Sequence, residues 1–222
     1  MNENSHNTWS GVSLSAKRGE KLVFSNLEFN LISGDALLLK GSNGFGKSTL
    51  LRLMAGLGHP QSGYLLWNSE NIKIDQTAHS ARLNYIGHLT GVKLALNVEE
   101  DLGFWMKLKG IYDYNAIEIA LTHFELYHQR TFPSRFLSSG QKRKLALARL
   151  MVLRSKIWLL DEPTVGLDRN GIQALEEIIK EQRTSNGIVV VASHSEIGLG
   201  KDIKRLDLTT YQVGNSYVDM EY

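Results

Sequence analysis

"GSNGFGKST", Gly41–Thr49, decides the fold. It contains Gly41-x-x-x-x-Gly46-Lys47-Ser48, the spacing of a phosphate-binding loop. Each residue type has a physical job. The glycines allow a turn tight enough for backbone N–H groups to point inward at phosphate oxygens. Lys47 brings a cation to the β- and γ-phosphates, and the Ser48 hydroxyl is a ligand for Mg²⁺. Ser42, Asn43, Gly44, Phe45 and Thr49 make up the rest of the cradle. The loop lies where the chemistry needs it. An apolar run, "DALLLKG" (Asp35–Gly41), reads as a buried strand before it. "KSTLLRLMAGL" reads as a helix after it, adding a positive N-terminal dipole.

Working outward, "GVSLSAK" and "KLVFSNLEFNL" are predicted as two strands joined by a turn around Arg18-Gly19. "SGYLLWN" and "RLNYIG" are further strands, and residues 1–9 read as a flexible polar tail. Between Val92 and Phe136 the pattern turns helical: "NVEEDLGFWMKLKG", with Asn97 as N-cap, and "YNAIEIALTHFELY". The α/β alternation then resumes. A helix from about Ser139 precedes the strand "IWLLD", the helix "NGIQALEEIIKEQR" and the strand "GIVVVAS". Strands alternating with helices predict a mainly parallel sheet covered by helices. The expected organisation is one domain over 10–222. Its α/β core comprises 10–91 and 137–222, with a helical subdomain inserted at 92–136.

Two more strand ends carry chemistry. In an open parallel sheet, ligands bind beyond the carboxyl ends of the strands. "KIWLLDEP" ends its apolar strand on Asp161 and Glu162. Asp161 would approach the Mg²⁺ held by Ser48, and Glu162 could orient or deprotonate a water attacking the γ-phosphate. His194, after "GIVVVAS", would reach the same phosphate as a polar sensor. Lys47, Glu162 and His194 are thus the predicted catalytic groups.

The bulk numbers exclude several alternatives. Of 222 residues, 42% are hydrophobic and 22% charged, which suits a globular core rather than a disordered chain. The net charge of +2 does not point to nucleic acid. Without cysteine there are no disulfides and no thiolate metal sites. No apolar run approaches the roughly 20 residues of a membrane span, and the N-terminus lacks a signal peptide's apolar stretch.

With these motifs in order along nearly the whole chain, the sequence resembles the ATP-binding cassette family. "GSNGFGKST" matches its phosphate loop and "LSSGQ" (Leu137–Gln141) its signature. "IWLLDEP" matches the strand bearing the catalytic glutamate, "VGLD" (Val165–Asp168) the D-loop, and "ASH" the switch histidine. The resemblance implies an α/β P-loop NTPase: a mainly parallel RecA-like sheet, an N-terminal antiparallel β-subdomain and an inserted helical subdomain. It implies ATP and Mg²⁺ as cofactors. It also implies a head-to-tail homodimer sandwiching two ATP molecules. Ser138, Gly140 and Gln141 would then face the partner's γ-phosphate, with Asp168 at the interface. Ser138 is equally a good helix N-cap, since capping and phosphate contact use the same N–H groups.

Within the family the chain looks most like the ATP-binding subunits of haem exporters in cytochrome c maturation. The Gly-Gln-Lys-Arg run of "LSSGQKRKLALARL", the Trp-Leu-Leu of "IWLLDEP", "YIGHLTGVK" and "GYLLWN" carry that likeness. It implies integral membrane partners, a peripheral place on the cytoplasmic face of the inner membrane and no nucleic acid. The alternative is an ATPase of a soluble assembly such as iron–sulfur cluster biogenesis.

Three positions depart from the family pattern. His88 stands where most cassettes have a Gln that contacts Mg²⁺ and water, and a neutral imidazole could do part of that work. Ser139 replaces a commoner glycine. No aromatic lies clearly where adenine usually stacks; Arg18 is nearest, and Phe24 reads as core. The basic run "QKRK" (Gln141–Lys144) reads as a solvated helix face. The aromatics of "LGFWMKLKG" read as packing inside the helical subdomain or docking a membrane partner.

Overall fold

The structure, a computed structural model, describes residues 7–111, 113–194 and 197–212. Two antiparallel strands open the chain, β1 (Thr8–Arg18) and β2 (Lys21–Ile32). β3 (Ala36–Lys40) leads through the phosphate loop into α1 (Lys47–Met54). Then come β4 (Ser62–Trp67), β5 (Glu70–Asn71), α2 (Gln76–Ala81) and β6 (Leu83–Ile86). Two helices follow, α3 (Val98–Leu108) and α4 (Tyr114–His123). The described chain closes with α5 (Ser139–Leu153), β7 (Ile157–Asp161), α6 (Arg169–Thr184), β8 (Ile188–Ala192) and β9 (Lys204–Asp207).

The strands form two sheets. β2-β1-β4-β5 is antiparallel, and β6-β7-β8-β3-β9 is parallel throughout. Strands buried on both faces read as continuous apolar runs, and β7 and β8 are buried at every residue. Their side chains alternate between two cores. Leu38, Trp158, Leu160, Val189 and Val191 pack under α3–α6. Leu37, Leu39, Ile157, Leu159, Val190 and Ala192 pack against α1 and the antiparallel sheet. Fully burying one such aliphatic side chain stabilises by about 1.5–3 kcal/mol.

Asn97 caps α3 as expected, and with Glu100 it forms a complete capping box. Two expectations are corrected. Thr8 and Trp9 belong to β1 rather than to a tail, and Trp9 is fully buried with its ring edge-on to Phe29 at 5.8 Å. A polar sequence surrounds one large apolar anchor there, and burial of its area outweighs the local polarity. Residues 1–6 lie outside the described residues. The basic run is not a solvated face either: Arg143 and Lys144 are buried, because tertiary contacts supply each with acceptors.

Candidate active site

Parallel topology brings four strand ends to one edge. The phosphate loop follows β3, Glu162 follows β7, His194 follows β8 and His88 follows β6, with β6, β7, β8 and β3 adjacent in that order. In the loop, Gly46 precedes α1 with φ of 91°, and a Cβ there would lie 2.4 Å from Val23 Cγ1. Only glycine fits. No side chain caps α1, so its first N–H groups remain available to an anion. Ser48 is exposed in the first turn of α1, next to the buried Lys47 that opens the helix.

Lys47 Nζ donates to Gly41 O at 2.6 Å and meets His194 Nε2 at 2.8 Å. An ammonium group has only protons to give, so a hydrogen bond from Lys47 uses His194 Nε2 as the acceptor. Asn43 Oδ1 lies 2.6 Å from the same Nε2, a contact that uses Nε2–H, so the two partners of this nitrogen select different tautomers. Desolvation pushes the Lys47 pKa below its ordinary value, opposed by the charges of Glu162 and Asp161. The lysine cation therefore sits on the loop's own carbonyl and on His194, both of which a phosphate would displace.

Glu162 faces this cluster. Its Oε2 accepts weakly from the His194 N–H at 3.4 Å, and its Oε1 lies 3.6 Å from His194 Nε2. That Oε1 is buried and makes no hydrogen bond among the described residues. A buried carboxylate oxygen left without a hydrogen-bond partner suits capture of one water molecule. Asp161, one residue earlier, is buried at the strand end. His88 is exposed one residue beyond Gly87, on the same edge but without a hydrogen bond to the cluster among the described residues.

The signature residues stand at the start of α5. Ser138 Oγ accepts from Gln141 N at 3.2 Å, and Gln141 Oε1 accepts from Ser138 N at 2.9 Å. Gln141, predicted to face nucleotide, thus caps its own helix. Gly140 abuts the D-loop: a Cβ on it would lie 2.7 Å from Gly166 O. Asp168 caps α6 by accepting from Gly171 N at 2.8 Å, and also binds Lys144 Nζ at 3.1 Å. Those hydrogen bonds hold its carboxyl below the usual carboxylate range. Arg18 is exposed at the end of β1, beside the turn to β2, whereas Phe24 is fully buried.

Sequence reading missed the buried cations of α5. A signal existed: the helix carries Leu145, Ala146, Leu147, Ala148 and Leu150 in near-continuous succession, so its apolar residues point to more than one face and leave little room for a solvated one. Charges inside such a helix must find partners.

Comparison with known proteins agrees with this geometry. A family model described as ABC transporter matches residues 24–165. The chain belongs to the ABC transporter family. It is an ATP-hydrolysing cassette of that family. A Paramagnetospirillum magneticum relative, "Cytochrome c biogenesis ATP-binding export protein CcmA", is 44% identical, covering 88% of this chain and 91% of its own. The Rhodospirillum rubrum protein of the same name is also 44% identical, over 90% of this chain and 85% of its own. Among solved structures, an ATP-binding subunit of an ABC transporter superposes with TM-score 0.76 at 25% identity, covering 84% of this chain and 79% of the other.

Proposed function

We propose that this cassette is the ATPase subunit of a membrane complex for haem export or cytochrome c biogenesis. The observation that carries the catalytic half is the buried, unbonded Oε1 of Glu162 beside Lys47 and His194. Relatives 44% identical over most of the chain support the cytochrome c half. Among the described residues no helix is long and apolar enough to cross a membrane; in this reading another subunit supplies the membrane part.

In this reading the loop N–H groups of residues 41–49 receive the β- and γ-phosphates, and Lys47 leaves Gly41 O for them. Glu162 orients a water in line with the γ-phosphorus and takes its proton as the bond to the β-phosphate oxygen breaks. His194, freed from Lys47, donates Nδ1–H or Nε2–H to the γ-phosphate according to its tautomer. Ser48 and Asp161 offer only oxygen donors, which suits Mg²⁺, with the other ligands drawn from phosphate and water. The described residues hold no cluster of three or more His, Asp or Glu that would bind a metal without nucleotide. Bound there, the ion would neutralise developing phosphate charge. Ser138 and Gly140 complete the site of a second copy, and closure moves the helical stretch 92–136 against the membrane subunit, at the cytoplasmic face of the inner membrane.

Glu162→Gln tests this. It should abolish hydrolysis, retain ATP binding and accumulate an ATP-dependent dimer by light scattering, whereas Lys47→Ala should lose ATP affinity. Continued hydrolysis by Glu162→Gln, with monomer only, would refute the catalytic reading. In a strain lacking this chain, cytochrome c assembly should return with wild type and not with Lys47→Ala. Co-purification with a soluble scaffold and no integral membrane protein would refute the transport reading.

A further inference from the structure

We propose that Arg143 is a positioning residue for ATP hydrolysis, tying the helix that carries the signature loop to the backbone that carries Glu162. The inference rests on Glu162 being the base. Arg143 projects from the second turn of α5 and is 4% exposed. Its guanidinium donates to four backbone carbonyls: Nε to Pro163 O at 3.2 Å, Nη1 to Gly87 O at 2.9 Å, Nη2 to Asp161 O at 2.8 Å, and Nη2 also to Glu162 O.

Three of those carbonyls are consecutive, at the point where β7 leaves the sheet. Glu162 there has φ of 47°, the left-handed region that a residue with a Cβ disfavours. Surrounding structure must over-determine such a conformation. Glu162 N donates to Ala192 O at 2.8 Å, which secures one side. Arg143 secures the other. Buried carbonyls leaving a ladder need donors, and a planar fork of five N–H groups suits several at once; an ammonium cannot span them. The fourth carbonyl belongs to Gly87, the residue before His88.

A second arginine repeats the device. Arg149, on the same helix, donates Nη2 to Thr90 O and stacks over the Trp105 ring at 4.7 Å. Both ends of the 87–90 segment therefore hang from α5. The helix whose N-terminus presents Ser138 and Gly140 to a partner's nucleotide thereby also fixes the backbone of Glu162 and the His88 loop of its own site. Displacement of α5 reaches Glu162 directly through Arg143.

The test uses the full chain in complex with its co-purifying membrane subunits. Arg143→Lys and Arg143→Gln are compared with wild type for kcat, KM, ATP affinity and melting temperature, with Glu162→Gln in parallel. Misplacing a catalytic group by about 1 Å costs roughly 100-fold in rate. The expected result is a kcat loss of about that size in both variants, with ATP affinity and KM within about threefold of wild type. Lysine should not rescue, because it keeps the charge and loses the fork. An unchanged kcat, rescue by lysine, or a KM rise at constant kcat would each overturn the proposal. Failure of both variants to fold would assign Arg143 to the fold alone and overturn it too. If Glu162→Gln still hydrolyses ATP, the assignment of the base has failed instead. If Glu162→Gln is inactive while the Arg143 variants keep kcat, only the positioning role has failed.

Discussion

Gly140→Ala sets two effects of opposite sign against each other. Gly140 lies in the first turn of α5, where alanine is the better helix former by up to about 1 kcal/mol. Packing opposes it. The new methyl would sit 2.7 Å from Gly166 O, a backbone atom, and ordinary contact begins near 3.4 Å, so the signature and D-loop backbones must separate by about 0.7 Å. Overpacking of this kind costs about 1–3 kcal/mol. The clash therefore wins, and Gly140→Ala should be destabilised by about 1 kcal/mol net. For a chain of this size that lowers the melting temperature by about 2–4 °C. Urea unfolding should give the same sign without a change of slope. Ser139→Ala, exposed one residue earlier and free of the clash, should show only the small helix gain. Stabilisation of Gly140→Ala by about 1 kcal/mol, the value for helix propensity alone, would refute the close approach of the two loops.

Two further outcomes follow from buried groups. Trp9→Ala should lose about 3–5 kcal/mol in denaturant unfolding, because the fully buried indole anchors β1 against Phe29; a loss below about 1 kcal/mol would return residue 9 to a tail. His79 is buried, donates Nε2–H to Met54 O at 2.8 Å, and burial pushes its pKa below the ordinary 6.5. Below pH 6.5 the unfolded chain takes a proton that the folded chain refuses, so stability falls as pH drops through that value toward the folded pKa. Melting curves of wild type should therefore drop more between pH 7 and pH 5.5 than those of His79→Gln, and parallel curves would exclude the effect.

Much of the fold was legible because its signals are local. Glycine spacing in 41–49, the Asn97 and Ser138 caps, and the apolar runs of β3, β7 and β8 each depend on residues within one turn or strand. Short elements with weak patterns escaped: β5 is two residues, α2 six, and β9 has one buried residue in four. β9 exists because β3 offers it a parallel edge, which its own sequence does not announce.

The same division runs through the site. The sequence by itself singled out the groups proposed to handle phosphate, since Lys47, Ser48, Glu162 and His194 each come after an apolar strand and Asp161 ends one. Tertiary structure alone decided that these strands are neighbours, with β3 next to β8 and β8 next to β7, which brings Lys47 within 2.8 Å of His194 across 147 residues. It also decided the state of "QKRK". A cation on a helix is solvated unless acceptors from elsewhere replace water, and only the folded chain places the carbonyls of Gly87, Asp161, Glu162 and Pro163 around Arg143. Motif chemistry is carried by adjacent residues and can be read along the chain; burial of charge depends on partners distant in sequence and is settled only when the sheet has formed.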